Sequence, residues 1–428
     1  MRHRSLIANL CLLAVVVLAG SGRPSAAAIR PNQDPAQTPQ TASSEAYRAD
    51  FDTVLRLVKT KFYDPKLNGV DWKQIGEAYR TKLADVHSKA EFEALINRML
   101  GELHASHTAY VTDDDIEYFM LPSVLHQDMN GHQTEHIGIM GSQEGNEFVV
   151  AGVLEGGPAG RAGIQSGDRL VLADGQPFRS AGSFRGKEGS AVTVKFTRGR
   201  DPSVRSVSVT PVKQNILRAF LEATDKSVKV VTVNGKRLGY VHLWTMANEA
   251  FRAALERTVE RRLHDTEGLI LDLRDGYGGS PWNYGDVFFR PDITWEQQSR
   301  GFGAIKRYSG YGKPMVVLIN QGTRSAKEFL SYEFKTTHRA KLVGTRTAGA
   351  FLGAGGFDVG KDGLLELPIL GLKIDGKLLE HNGVAPDVAV APESSYTERD
   401  AQYLTAQQTL LDAIKAGQAP GANGRTAF

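Results

Sequence analysis

Apolar residues recur at helical spacing early in the chain: Phe51, Val54, Leu55 and Val58, then Phe62, and later Phe92, Leu95, Ile96, Met99 and Leu100. A face that repeats every three to four residues predicts amphipathic helices. Residues 45–125 are therefore expected to form an N-terminal helical domain, with Trp72, Ile75 and Tyr79 in its core. Between His136 and Val212 the pattern changes to short alternating runs (EFVVAGVL, RLVLADG, AVTVKFTRG, VRSVSVTPV) broken by Gly and Pro. That is the pattern of strands and tight turns, and a β-domain is expected over 136–213. From Leu238 to Pro392 strands and helices alternate: LGYVHLW, a helix around Glu249 to Leu263, GLILDLR, MVVLIN, a helix opening at Ser325, AKLVGT and terminal strands. Such alternation predicts an α/β core with buried parallel strands, placed at 214–395. Residues 396–428 read as a closing helix, Thr397 to Ala416, and a loose tail.

The first residues read as an export signal. Arg2 and Arg4 precede an apolar stretch from Leu6 to Gly20, and Pro24 to Ala28 supplies small residues for cleavage. The stretch is shorter than the ~20 residues needed to span a bilayer. Residues 1–28 are expected to be removed, giving a secreted or periplasmic protein with no membrane attachment afterwards; a retained N-terminal anchor is the alternative. Residues 29–44, rich in Pro, Gln, Thr and Ala, read as a disordered linker. Composition over the 428 residues is that of a globular protein, 41% hydrophobic and 23% charged. Cleavage takes away three arginines and no acid, leaving 48 basic against 48 acidic residues. That balance gives no basic face for nucleic acid. The single cysteine, Cys11, lies in the apolar stretch, so the mature chain has neither disulfide nor thiol nucleophile.

Candidate chemistry gathers in four segments. The buried strand Met315 to Ile319 ends in a polar turn, and Ser325 stands where a helix begins, with Glu328 three residues on. That spacing is a capping box, and a helix cap is its simplest use. A serine at a strand-to-helix turn is also exposed beside free backbone N–H groups, as nucleophilic hydrolases require. GLILDLRDGYGGS, Gly268 to Ser280, ends a strand in Gly276, Gly278 and Gly279, which lets N–H groups face a pocket. It lacks a full GxGxxG opening a helix, which argues against dinucleotide binding. GELHASHTAYV, Gly101 to Val111, supplies Ser106 and His107, the latter a natural base near neutral pH. His104 and His107 with Asp113 to Asp115 nearby also allow a metal site, although an HxxH pair without a matching third ligand is weak. LLEHNGVAPDVAV, Leu378 to Val390, offers Glu380 as a carboxylate to orient His107, directly or through Ser106; Asp387 competes for that role, but shaping the turn after Pro386 is its simpler use.

Gly156 to Phe178, GGPAGRAGIQSGDRLVLADGQPF, resembles a PDZ domain of the circularly permuted type found in secreted proteases. The resemblance implies that a peptide C-terminus adds as a strand beside a carboxylate-binding loop, best matched by His136, Ile137, Gly138 and Ile139. In chain order, GELHASHTAYV, the PDZ segment, GLILDLRDGYGGS, NQGTRSAKEF, VGTRTAGA and EHNGVAPD resemble the tail-specific (C-terminal processing) serine peptidases, which share a core with tricorn protease. This implies a multi-domain α/β fold with a ClpP/crotonase-like ββα core. It also implies a serine endopeptidase needing no metal or organic cofactor, whose partner is a polypeptide substrate held by its C-terminus. An oligomer is compatible with it. Ser325 corresponds to the nucleophile. In the bacterial processing branch a lysine base lies at the place of Ala350, so that dyad is missing. The tricorn-like branch implies instead His107 as base, Ser106 and Glu380 as its supports, and Gly278, Gly279 and Ala326 as oxyanion donors. Retinoid-binding relatives imply the alternative, a non-catalytic carrier of apolar ligands or peptides.

Overall fold

The computed structural model describes residues 39–199, 201–391 and 400–417. The expected export signal, most of the expected linker and the end of the tail lie outside them. Among the described residues no helix is long and apolar enough to cross a membrane.

Helices α1 (Pro39–Lys61), α2 (Trp72–Arg80) and α3 (Lys89–Gly101) pack through Phe51, Val54, Val58, Trp72, Phe92, Leu95, Ile96 and Met99. Helix α1 begins at Pro39, so residues 39–44 are helical and not part of a disordered linker. Their Gln, Thr, Ala and Ser residues carry no breaker after Pro39, which suits a first helical position. Ser88 and Asp71 cap α3 and α2 by accepting from Glu91 N–H and Gln74 N–H. A short strand β1 (Ala109–Thr112) and helix α4 (Ile116–Leu125) follow.

The β-domain comprises β2 (Thr134–His136), β3 (Ile139–Glu144), β4 (Glu147–Val153), α5 (Pro158–Arg161), β5 (Asp168–Ala173), β6 (Gln176–Pro177), β7 (Val192–Arg198), β8 (Asp201–Val209) and β9 (Val212–Gln214). Its main sheet runs β3-β4-β5-β7-β8, with β3 at one edge. Phe148, Val150, Leu170, Phe178, Phe184, Val192, Val194 and Phe196 fill its core. An ionic clasp joins this domain to the helical one. Arg179 pairs with Glu93 and Asp115, Arg185 with Asp113 and Asp114, and Lys89 with the same two aspartates. Asp113 to Asp115 are thus engaged by cations.

Beyond α6 (Ile216–Ser227) come β10 (Lys229–Val233), β11 (Lys236–His242), α7 (Glu249–Arg257), β12 (Gly268–Asp272), α8 (Asp286–Phe289), β13 (Ile293–Ser299), β14 (Phe302–Ser309), β15 (Met315–Ile319), α9 (Ala326–Thr336), β16 (Lys341–Gly344), β17 (Gly353–Val359), β18 (Gly363–Leu370), β19 (Val388–Ala389) and α10 (Ala401–Lys415). The central sheet has the order β10-β11-β12-β15-β16-β19. Only β10 pairs antiparallel; every later neighbour is parallel. Strands β12 and β15 are buried along their whole length, as a sheet covered on both faces requires. Tyr403, Ala406, Leu410 and Leu411 of α10 cover one face, and Phe251, Leu255, Leu330 and Phe334 of α7 and α9 the other. A second sheet, β1-β18-β17, brings the strand after His107 against β18. In open α/β sheets the carboxyl ends of parallel strands form the functional crevice. Here the ends of β12 and β15 carry the glycine loop and Ser325.

Candidate active site

Ser325 is the N-cap of α9 and has φ 55° and ψ −126°. Positive φ in a non-glycine residue costs about 1–3 kcal/mol and persists only where the surroundings impose it. Here they do. Ser325 N–H donates to the carbonyl of Ala350 (3.1 Å) and to Glu328 Oε2 (3.1 Å). The buried Glu328 carboxylate also accepts from Thr347 Oγ1 (2.5 Å), Gly349 N–H (2.7 Å) and Ala350 N–H (2.8 Å). The glutamate that the capping-box spacing singled out therefore welds the segment 347–350 to the serine.

The glycine loop after β12 lies directly on Ser325. A Cβ at Gly278 would sit 2.5 Å from Ser325 Cβ, 2.8 Å from its Oγ and 3.0 Å from Ala326 N. No side chain fits there. The Gly278 carbonyl accepts from Met246 N–H (2.8 Å) and Thr245 Oγ1 (2.8 Å). In a trans peptide the Gly279 N–H points the opposite way from that carbonyl, and Gly279 has φ 133°, open only to glycine without strain. Beneath the loop Lys327, fully buried, donates to the Asp275 carbonyl at 2.7 Å. Burial pulls its ammonium down to about 7, opposed by Asp275 and Asp272. Lys327 thus holds the loop from below, on the buried side of α9.

His107 follows α3 in a turn with φ 56° and is 8% exposed. Its Nδ1 lies 3.0 Å from Glu366 Oε1 and 3.1 Å from Arg324 Nη2. Its Nε2 is buried and has no partner in the structure. The neighbouring Ser106 gives Glu380 two bonds, N–H to Oε1 (2.8 Å) and Oγ to Oε2 (3.1 Å). Glu380 Oε2 also accepts from Phe351 N–H at 2.8 Å. A continuous path therefore links Ser325, Ala350, Phe351, Glu380 and Ser106 to His107. Glu380 reaches the histidine's neighbour and not the imidazole, whose carboxylate contact is Glu366. Of the two expected routes from Glu380 to His107, direct or through Ser106, the structure shows the bonds to Ser106. Glu366 lies opposite Ala109, two residues after His107, in the β1–β18 register, at the end of β1 that carries the histidine turn. Sequence reasoning passed over it, although a lone carboxylate inside the apolar strand GLLELPIL was a signal: a buried charge needs a partner.

Of the expected peptide-binding residues, Ile137 and Ile139 are in the β-domain core. Gly138 N–H donates to His136 Nδ1 (3.1 Å), while the Gly138 and Ile137 carbonyls accept from Leu154 and Ala159 N–H. Strand β3, which follows, is the sheet edge. A cavity of about 330 Å³ lined by His136, Gly138, Leu154 to Pro158 and α6 adjoins the loop. His104 lines a different cavity, with Ser106 and His381, while His107 turns inward. Among the described residues no cluster of three or more His, Cys, Asp and Glu side chains is placed to hold a metal.

Residues 237–390, which carry the glycine loop, Ser325 and Glu380, match Peptidase family S41. That match takes in 154 of the 428 residues, the part of the chain that holds the candidate site. The helical region 43–101 matches the tricorn protease C1 domain, and 149–198 a PDZ domain. The chain is 27% identical to carboxyl-terminal-processing peptidase 3 of Arabidopsis thaliana, over 68% of this chain and 59% of that protein. It is likewise 27% identical to the C-terminal processing peptidase of Tetradesmus obliquus, over 79% of this chain and 76% of the relative. The photosystem II D1 C-terminal processing protease has a similar structure, with a TM-score of 0.51 and 26% identity over 81% of this chain and 94% of that one. Tricorn-type relatives are far longer, and the chain spans only 30% to 36% of them. Ala350, at the place where the resemblance to the bacterial processing branch implies a lysine, is a buried alanine whose carbonyl accepts from Ser325 N–H.

Proposed function

We propose that this chain is an exported serine endopeptidase that cleaves protein substrates presented by their C-terminal tails. The observation that carries this is the strained Ser325 beneath the glycine loop, joined by hydrogen bonds to the turn bearing His107. Ser325 Oγ attacks the peptide carbonyl carbon while His107 Nε2 takes its proton. Gly278 or Gly279 N–H and Ala326 N–H receive the oxyanion, an interaction generally worth about 3–4 kcal/mol of barrier per donor. His107 then passes the proton to the departing amine, and water releases the acyl group by the reverse relay. Ser106 and Glu380 anchor the turn that presents His107. Residues 1–28 supply export, and the mature protein works outside the cytoplasm.

The PDZ domain would capture the tail by strand addition at β3, raising its concentration at the core. An internally quenched peptide with a free apolar C-terminus should therefore be cleaved at least tenfold more efficiently than its C-terminal amide, the difference lying in KM. Equal cleavage of both would remove the tail-capture role. Hydrolysis of neither, with tight binding of an apolar ligand, would favour a carrier on the same core.

A further inference from the structure

We infer that Glu366, on β18, is the positioning carboxylate for His107, fixing the imidazole tautomer that leaves Nε2 able to accept a proton. This rests on the peptidase reading above. The imidazole and Glu366 side chains are each 6% exposed, and Nδ1 to Oε1 is 3.0 Å. Nδ1 has two neighbours, Glu366 and Arg324, and cannot bond both. An arginine only donates, so bonding it would need a bare Nδ1. Glu366 as an anion only accepts, so bonding it needs Nδ1–H. Burial pushes the Glu366 carboxyl up, but His107 and Arg324 together hold it below the usual glutamate range. The anion therefore prevails: Nδ1 carries the proton, Nε2 carries the lone pair, and the Arg324 charge attracts Glu366. Nε2 is the buried atom without a partner. A base that is to take a serine proton needs that lone pair uncommitted to any other donor.

Glu380 is ill placed for the same task. Its two oxygens are taken by Ser106 N–H, Ser106 Oγ and Phe351 N–H. It secures the loop, whereas Glu366 secures the ring. The charged groups around the ring are Glu366 from β18 and Arg324 from the turn before α9. Arg324 in turn lies over the Tyr277 ring and feels Glu117 of α4 and Glu328.

The test compares Glu366→Gln, Glu366→Asp and Glu380→Gln in the full-length mature protein. It follows kcat/KM against pH, the rate of fluorophosphonate labelling, and the Nδ1–H proton by NMR of histidine-labelled protein. Glu366→Gln should lower kcat/KM about 10²–10⁴-fold. It should also move the acid limb to lower pH, because an anion beside the ring favours imidazolium. The Nδ1–H signal should shift upfield or vanish. Glu366→Asp, which keeps the charge, should restore the wild-type midpoint even at a reduced rate. Glu380→Gln should slow turnover without moving the limb. If wild-type protein labels and Glu366→Gln keeps the wild-type limb while Glu380→Gln shifts it, Glu366 is not the positioning group and the peptidase reading stands. If wild-type protein does not label at all, both fall together.

Discussion

Ser325→Ala is expected to reduce kcat by about 10⁵–10⁶, and His107→Ala by a comparable factor, while the double variant is hardly slower than either single one. Nucleophile and base act as a unit, so removing one makes the other useless. Neither change should unfold the protein. Ser325→Ala gives up a hydroxyl at a half-buried turn and keeps the backbone bonds to Ala350 and Glu328. The measurement is steady-state hydrolysis alongside thermal unfolding. A residual rate above about 1% of wild type in either variant would mean that another group attacks or another base serves. Lys327 is the natural suspect, being buried near the loop with its ammonium pulled down to about 7. Its Nζ is committed to the Asp275 carbonyl, however, and Lys327→Met should loosen the oxyanion loop without replacing the base.

The largest stability effect is expected at Arg274. Its side chain is buried, and its guanidinium bonds Asp272 Oδ2 (2.6 Å), Asp400 Oδ2 (2.5 Å) and Gln402 Oε1 (3.1 Å), tying the end of β12 to the cap of α10. Arg274→Met leaves two buried carboxylates without their cation. A loss of about 3–5 kcal/mol is expected in urea unfolding. The pH dependence should change sign. In the wild type burial pushes Asp272 up, but Arg274 and His242 hold it well below its ordinary 3.8. A carboxyl lowered by folding contributes stability above the unfolded value, and that stability is lost as pH falls below about 4. Without Arg274, burial dominates and the folded value lies above the unfolded one. The variant should then lose stability as pH rises from 4 and be partly rescued by acid. A loss under 1 kcal/mol with an unchanged pH profile would show that the pair is dispensable.

The elements around the site were legible because each has a local signature. Strands β12 and β15 are continuous apolar runs, the glycine loop follows one, and Ser325 with Glu328 follows the other. The alternation in 136–213 announced a sheet, and its Gly and Pro turns fell where expected. What sequence alone did not reveal depends on pairing across distance. Glu366 meets His107 over 259 positions, and no spacing rule connects them. Arg179 finds Glu93 over 86 positions and Asp115 over 64, so the clasp between the domains was invisible. The ribbon β13–β14 was missed for another reason. It pairs only with itself and keeps Ile293, Trp295 and Ile305 exposed, so its pattern lacks the burial contrast that marks a strand. Glu380 was found, but its contact with Ser106 in place of the imidazole turns on about one side-chain length, which sequence cannot resolve.

The account rests on Ser325 being an activated nucleophile. The most direct measurement is peptide mapping by mass spectrometry after treating the folded mature protein with a fluorophosphonate. The account predicts one phosphonyl group, on Ser325, formed quickly in the wild type, greatly slowed in His107→Ala and absent from denatured protein. An unmodified Ser325 in folded protein, or modification that proceeds equally well without His107, would contradict it.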